Sequence, residues 1–597
     1  MNVTVLARLI AELEVCDSDQ LRRYVVVAEK KSVAEALLRV LRRLGANALI
    51  TSVSGHLMDC DLMERFSKWR LEDIPEMFSP QNVRLVTSDE RSYRRIRNLL
   101  AENGDGVLVV ATDNDHEGEL IGFEILRVYR EVRGDGAEYR RMRFNSLEYD
   151  EIVHAWQNLE PDLNWGWVHK AQLRRVFDLL TGAAFTRLLT LSARRGGSGA
   201  GVISWGPVQS PCLKFIVERE KLIREFKPRK YWYVSCVLRY GDREFTAKTP
   251  ELWDRASALR IYESISSSDT GRVASYVEER VSVARPLPAR TDDSLRELVR
   301  ITGQSSIKLM RVMEHLYQSG TLSYPRTETN RYPPGFDFLK RLRALSSSGI
   351  FNQELMEVSP RPRNGRLSDG AHPPIYPTAV YRWAGIERVV WEYFARRFIA
   401  NAFLDDARIV QQRSTIHIAG FELFASGRYF EKRGFYEVFH YFAPKEDPIP
   451  KMGVGDMIGV AHVKLVEQQT QPPPRLSESE LLKIMETNGL GTDATRPLYP
   501  ALLLERGYIV RWQRRLKPTR LGEVLVETLS SVDERLVTPE TRRTVEDYMG
   551  RVEKGEMQLD TALLSALNVY RPLLEKCLAE TDKIGELLQN STHNRDN

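Results

Sequence analysis

Residues 112–118 read TDNDHEG, which sets the carboxylates of Asp113, Asp115 and Glu117 at every second position. A fourth carboxylate, Glu29, follows the apolar run YVVVA. Carboxylates crowded in this way repel one another and raise each other's pKa unless a cation neutralises them. An oxygen-only set suits Mg²⁺, a hard ion that takes one or two carboxylates and completes its shell with water or phosphate oxygens. A solvated acidic turn is the bland alternative. Position weighs against it, because both acidic sites end apolar runs and lead into helical patterns, and open α/β sheets build their sites at such strand ends. The second stretch with chemical potential is TLSYPRTETNRYPP, residues 321–334. Proline after Tyr324 disfavours helical geometry, so Tyr324 is extended and Arg326 projects to the same side of the chain. A phenol with a pKa of about 10 attacks a phosphodiester only beside positive charge, which the Arg326 fork supplies while gripping phosphate. The chain holds 23 tyrosines, so taken alone Tyr324 is as readily a structural loop residue. Residues 368–378, SDGAHPPIYPT, offer His372 as a hydrogen-bond donor to phosphate, although a lone histidine is more often packed or exposed.

The elements that must hold these groups are visible in the hydrophobic pattern. RYVVVAEKKSVAEALLRVLRRLG reads as a buried strand ending near Glu29, then a helix with Val33, Leu37, Val40, Leu41 and Leu44 on one face. Ser32 and Glu35 predict a capping box at its start, and Gly45 a C-terminal stop. GVLVVATDNDHEGELIGFEILRVYREV repeats the plan, with a strand through Val110 and a helix from about Gly118. Two such units predict an α/β domain with a largely parallel sheet. The chain then reads as helical to about residue 225. Alternation of period two begins at KYWYVSCVLRYGDREFTAK with a turn at Gly241-Asp242, and helices from about 291 to 400 interrupt it. It returns at DARIVQQRSTIHIAGFELF. One β domain split by a helical insertion is the economical reading, and two separate β domains are the alternative. After QQTQPPPR the pattern is helical to a polar tail near residue 585.

Composition bounds the function classes. A chain of 597 residues, 42% hydrophobic and 28% charged, predicts a globular protein of several domains. A net charge of +5 over that length is too small to establish a polyanionic partner by itself. Cys16, Cys60, Cys212, Cys236 and Cys577 form no C-x-x-C pair. This argues against a disulfide framework or a zinc ribbon and fits a reducing cytoplasm. The first twenty residues lack a basic n-region, so neither secretion nor membrane insertion is expected.

Taken in order, these segments resemble those of a type IA DNA topoisomerase, from about Tyr24 to about Gly555. VVAEKKSVAEAL resembles the family's first TOPRIM motif, making Glu29 the acid at the cleavage site and Lys30 its basic neighbour. ATDNDHEGELIGFEI resembles the TOPRIM acidic triad, with Asp113, Asp115 and Glu117 at the metal positions. RRMRF and LRRVFDLLTGAAFTRLLT are similar to the segments that supply DNA-contacting Arg141 and Arg174 and the neighbouring Asp178. ISWGPVQSPCLKF resembles the strand-groove motif containing Gln209, and METNGLGTDATRP the DNA-binding motif with Thr492, Thr495 and Arg496. LYQSGTLSYPRTETNRYP resembles the active-site motif, with Tyr324 as nucleophile and Arg326 as phosphate partner, and DGAHPPIYPT matches the segment of His372. The combination of AEK, SYPRTET and GTDATR is most similar to topoisomerase III and its archaeal relatives.

The resemblance implies a TOPRIM α/β domain over residues 1–152 followed by a toroidal core. In it, 153–225 with 466–597 form a helical DNA-binding domain, 226–285 with 405–465 a β arch, and 286–404 a helical domain carrying the tyrosine. It implies a 5′-phosphotyrosyl intermediate, Mg²⁺ as cofactor, no ATP, a monomer acting on single-stranded or underwound DNA, and a cytoplasmic, nucleoid-associated enzyme. RNA as a substrate and a helicase partner are compatible with it. A TOPRIM nuclease or a noncatalytic single-strand-binding protein are the rival classes. Three departures stand out. Pro207 occupies the place where the family commonly has an arginine facing DNA, His116 one where arginine is common, and Lys31 one where proline is common. Neither cysteine-rich zinc modules nor a G-x-x-x-x-G-K-[ST] nucleotide loop occurs in the sequence.

Overall fold

The computed structural model describes residues 22–103, 105–197 and 201–589. The N-terminal stretch read for targeting, Cys16 and the end of the polar tail lie outside the described residues. Strand β1 (Tyr24–Ala28) is followed by helix α1 (Lys31–Arg43) and β2 (Ala48–Ser52), and β3 (Met58–Leu62) pairs antiparallel with β4 (Val83–Thr87). Next come α2 (Glu90–Glu102), β5 (Val107–Ala111), α3 (His116–Arg133) and β6 (Tyr139–Arg141). The sheet order is β2-β1-β5-β6, parallel throughout. Register fixes the site at this point. Ala28 of β1 lies opposite Ala111 of β5, so the next residues of the two chains, Glu29 and the Thr112-Asp113 loop, emerge side by side at the carboxyl end of the sheet.

The expected capping box at the start of α1 does not form. The N-cap is Lys30, without a side-chain cap, so Ser32 falls inside the helix and its hydroxyl turns instead to Gln318. Gly45 does end the helix in a left-handed conformation (φ 70°). Helix α3 begins earlier than the pattern predicts, because the Asp115 carboxylate caps it by accepting the Gly118 N–H at 2.7 Å. Only glycine fits at 118, since a Cβ there would lie 2.0 Å from the Asp113 carbonyl oxygen.

Helices α4 (Tyr149–Gln157), α5 (Trp165–Arg195) and α6 (Gln209–Glu225) lead into a β region. Its first strands are β7 (Lys230–Tyr240), β8 (Arg243–Lys248) and β9 (Thr270–Val283), with α7 (Arg255–Ser266) between the last two. Helices α8 (Thr291–Thr302), α9 (Ser306–Gln318) and α10 (Ile386–Phe403) intervene before β10 (Ala407–Ile418), β11 (Phe421–Lys432) and β12 (Met457–Gln469). All six of these strands close one barrel in the order β10-β11-β8-β7-β12-β9, so the two stretches of alternation belong to a single β body from which the helical segment projects.

Beyond the barrel, α11 (Glu478–Thr487) and α12 (Leu498–Glu505) precede a hairpin the pattern did not predict, β13 (Ile509–Trp512) and β14 (Arg515–Pro518). Its turn residues Gln513 and Arg514 are left-handed, with φ of 46° and 63°, a conformation usually announced by Asn-Gly. Helices α13 (Arg520–Val532), α14 (Pro539–Glu553), α15 (Leu559–Ala579) and α16 (Thr581–Gln589) complete the chain. Helix α5 runs through their common core, which also takes Leu62, Phe66 and Phe78 from the N-terminal region. By length and composition it is the one helix among the described residues able to cross a membrane, yet most of that stretch is buried.

Candidate active site

The two acidic strand ends meet as the register requires. Asp113 donates its backbone N–H to Glu29 at 3.2 Å, and the Lys30 ammonium lies 2.8 Å from Glu29 and 2.6 Å from Asp113. Burial, with the Asp113 carboxylate next in weight, pushes the Glu29 carboxyl up to about 7. Burial alone pulls the Lys30 ammonium down, but Asp113 and Glu29 outweigh it and hold it charged.

Tyr324 reaches this cluster from the loop after α9. The loop is pinned across to the TOPRIM-like sheet, since the Tyr324 N–H donates to the Asn145 carbonyl at 2.8 Å. Its phenol donates to Asp115 at 2.5 Å, and its ring stacks on His372 at 5.0 Å between centroids and meets Tyr317 edge-on. Burial raises the Tyr324 pKa far above the ordinary value and Asp115 raises it further, so the resting phenol is neutral. For Asp115, burial pushes upward, but Arg326, the Tyr324 hydroxyl and the Gly118 N–H hold the carboxylate below its usual range. Arg326 stands 3.9 Å from Asp115 and is anchored by Glu314. His372 takes its orientation from Asp369, which accepts the His372 N–H at 2.8 Å and faces Nδ1 at 3.2 Å. The opposite nitrogen, Nε2, is buried without a partner, free to donate to an oxyanion.

A cleft of about 310 Å³ lies over these groups, lined by Asp115, Arg326, His372, Arg174, Thr492 and Thr495 among others. Tyr324 adjoins it through its contact with Asp115, and Lys30 bridges Glu29 and Asp113 alongside. Among the described residues no group of three or more carboxylate, histidine or cysteine side chains is placed to cage a metal. The expected third ligand, Glu117, lines the same cleft as Asp115, with one carboxylate oxygen bonded to His56 at 3.0 Å. Asp113 and Asp115 fit an ion of the Mg²⁺ type, which needs few protein oxygens.

The residue-type chemistry, the strand-end position and the tyrosine contact converge on one class of protein, and comparison with known families decides it. Residues 24–147 match the Toprim domain and residues 162–563 match the family described as DNA topoisomerase. The chain belongs to the type IA DNA topoisomerases. DNA topoisomerase 1 of Thermoplasma acidophilum is 30% identical over 551 residues, covering 91% of this chain and 69% of that protein. Human DNA topoisomerase 3-beta-1 is 32% identical over 596 residues, covering 92% of this chain and 68% of that protein. The fold is also that of full-length topoisomerase I from Thermotoga maritima, with a TM-score of 0.73 at 23% identity over 92% of this chain and 90% of that one.

The residues expected to contact DNA in this topoisomerase divide between buried positions and the cleft wall. Arg141 is fully buried. Its guanidinium donates to Glu119 at 2.8 Å and to the carbonyls of Thr112, Met142 and Asp113 at 2.6–2.9 Å, so in this conformation it holds the acidic loop in place. Arg141→Met is expected to destabilise the fold by ~3–5 kcal/mol, the cost of breaking a buried ion pair on one side. Chemical denaturation checks this, and normal stability with weakened DNA binding would restore a direct contact. Gln209 is likewise buried, donating to the Ser204 carbonyl at 3.0 Å. Arg496 is buried against Asp292 and the Leu490 carbonyl. Pro207 is buried too. Arg174 does line the cleft, steadied by Glu546 at 3.2 Å, while Asp178 on the same helix pairs with Arg542 at 2.7 Å. Thr492 and Thr495 bond to each other in a loop turned by Gly491, whose φ is 69°. His116 bonds Glu553 at 2.9 Å and its ring lies on Trp167, so this departure joins the acidic loop to the end of α14.

His56 carries no signal in its sequence context, since its partners lie 61 and 68 residues away. Burial lowers its pKa, but hydrogen bonds to Glu117 and Glu124 outweigh that and raise it from 6.5 to about 9. A raised histidine contributes its full stabilisation below pH 6.5 and loses it as pH climbs through 9. The thermal midpoint of the wild type is therefore expected to exceed that of His56→Gln by more at pH 6.5 than at pH 9.5. A constant difference across that range would contradict the bridge.

Proposed function

We propose that this topoisomerase opens one DNA strand by attack of Tyr324 on a backbone phosphate, forming a 5′-phosphotyrosyl link and releasing a 3′-hydroxyl. The observation that carries the reading is the 2.5 Å contact between the Tyr324 phenol and Asp115, which joins the nucleophile to the acidic strand ends. The phenol must lose its proton to attack, and Asp115 is the acceptor already in contact with it. Arg326 and the free Nε2 of His372 then stabilise charge on the phosphate. Glu29, with a carboxyl pushed up to about 7, is poised to give a proton to the leaving 3′-oxygen and take it back on rejoining. Asp113 and Asp115 would hold Mg²⁺, which when bound neutralises phosphate charge and orients the 3′-hydroxyl for religation. Glu117 lines the same cleft and has a second carboxylate oxygen with which to join them. The bond energy is kept in the phosphotyrosine, so rejoining needs no ATP.

The burial of Tyr324 beside the cleft supports a closed resting state that a strand must open. In this reading residues 286–404 move as the tyrosine-bearing part, the split barrel over 226–285 and 405–465 acts as the arch, and 153–225 with 466–597 grips the strand. Arg174, Thr492 and Thr495 face that strand. Single-stranded or underwound DNA is the substrate, the enzyme works as a monomer in the cytoplasm at the nucleoid, and relaxation, decatenation, RNA activity and a helicase partner each call for a separate assay. Negatively supercoiled plasmid with Mg²⁺ and no ATP tests the core of this proposal. Closed relaxed topoisomers are expected, and linear or permanently nicked plasmid would identify a nuclease instead.

A further inference from the structure

A second and larger cleft, about 1000 Å³, lies between α8 with its following turn on one side and α11 with the β13–β14 hairpin on the other. Arg296, Arg300, Lys483, Arg511, Arg514 and Arg515 all line it. Its acids are already neutralised within the protein. Asp293 accepts Arg290 at 2.6 Å, Glu297 accepts Arg397 at 2.8 Å, Glu478 accepts Arg511 at 2.6 Å and Glu480 accepts Arg515 at 2.7 Å. Arg300, Lys483 and Arg514 remain, exposed, and no carboxylate among the described residues lies within ion-pair range of them. Arg300 lies over the face of Phe442, 4.7 Å from the ring centroid. Arg514 sits at the hairpin tip against Gly303, where a Cβ would be 3.8 Å from its guanidinium. The same hairpin presents Trp512, 50% exposed, with the Arg475 guanidinium 5.9 Å and the Lys517 ammonium 5.5 Å from its ring.

A cleft with three uncompensated cations is complementary to a chain of phosphates, and a half-exposed indole beside two further cations is a platform for an unpaired base. We propose that this cleft and hairpin form a second nucleic-acid site, which binds the backbone of a single strand away from the cleavage cleft and stacks one of its bases on Trp512. The inference rests on the chain acting on DNA as proposed above, but none of its residues touches the Tyr324 cluster. The strand is held by phosphate charge at Arg300, Lys483 and Arg514, so binding is sequence-independent.

The test uses the full chain and a fluorescent single-stranded oligonucleotide titrated at several salt concentrations. For Lys483→Gln with Arg514→Gln, the slope of log affinity against log salt should become shallower by roughly 1.4, the value for two lost phosphate contacts on a single strand. Trp512→Ala should weaken single-strand binding with no change of slope. Both variants should form the Tyr324 adduct normally at saturating oligonucleotide, because the cleavage groups are untouched. An unchanged slope in a double variant with wild-type thermal stability would overturn the proposal, as would unaltered binding by Trp512→Ala. Loss of the adduct at saturation would also overturn it, by showing that the cleft serves cleavage and not a separate strand. Failure of the wild type to form any adduct would instead count against the cleavage mechanism.

Discussion

Replacing Tyr324 with phenylalanine will abolish strand cleavage while leaving fold and DNA binding in place. The substitution keeps the ring that stacks on His372 and meets Tyr317, and removes the only atom able to bond the phosphate. Its structural cost is one hydrogen bond to the Asp115 carboxylate, about 1.5–3 kcal/mol, and Asp115 retains the Gly118 N–H and the nearby Arg326. Activity should fall by about 10⁴-fold or more, as when a nucleophile is deleted from a catalytic unit. Plasmid relaxation and a quenched cleavage assay measure it. Relaxation retained at even a tenth of the wild-type rate would exclude Tyr324 as the nucleophile.

The second large effect is expected from Asp113→Asn combined with Asp115→Asn. Asp113 is buried and Asp115 is partly exposed at the cleft, both at one strand end, and their amides keep the shape while removing the charge that would bind Mg²⁺. Relaxation should fall by about 10²–10⁴-fold, and added Mg²⁺ should no longer raise the thermal midpoint as it does for a protein that binds it. Single-strand binding should persist, since Arg174, Thr492 and Thr495 are unchanged. The wild type in excess chelator should lose relaxation as well. Full turnover under either condition would remove the metal from the mechanism.

Much of this site is legible in the sequence because it depends on strand ends. Apolar runs at Tyr24–Ala28 and Val107–Ala111 must be buried parallel neighbours, and the acids that follow them must then converge. The extended Tyr-Pro-Arg stretch is legible for a similar local reason, since proline dictates the backbone. What escapes is the direction in which a long polar side chain turns. Arg141 and Arg496 look like DNA ligands in one dimension, yet each finds carbonyls and a carboxylate inside the protein. Glu117 belongs to the acidic spacing, but its bond to His56 from a distant loop does not show there. Asp369, which sets the ring of His372, carries no signal of that role in SDGAHPPIYPT, because the partnership appears only when the loop folds back. The capping signal at Ser32 failed by register, since the helix starts one residue before it. The β13–β14 hairpin escaped because Gln513 and Arg514 occupy positions where asparagine and glycine usually advertise the turn.

The central claim is a covalent bond between Tyr324 and the 5′ end of a cut strand. Denaturant quenching of the Mg²⁺-containing reaction with an end-labelled oligonucleotide, followed by proteolysis and mass spectrometry, locates that bond directly. The account predicts a 5′-phosphate adduct on the peptide containing LSYPR, at Tyr324 and absent from Tyr324→Phe. An adduct on any other residue, a 3′ linkage, or cleaved DNA with no protein attached would contradict it.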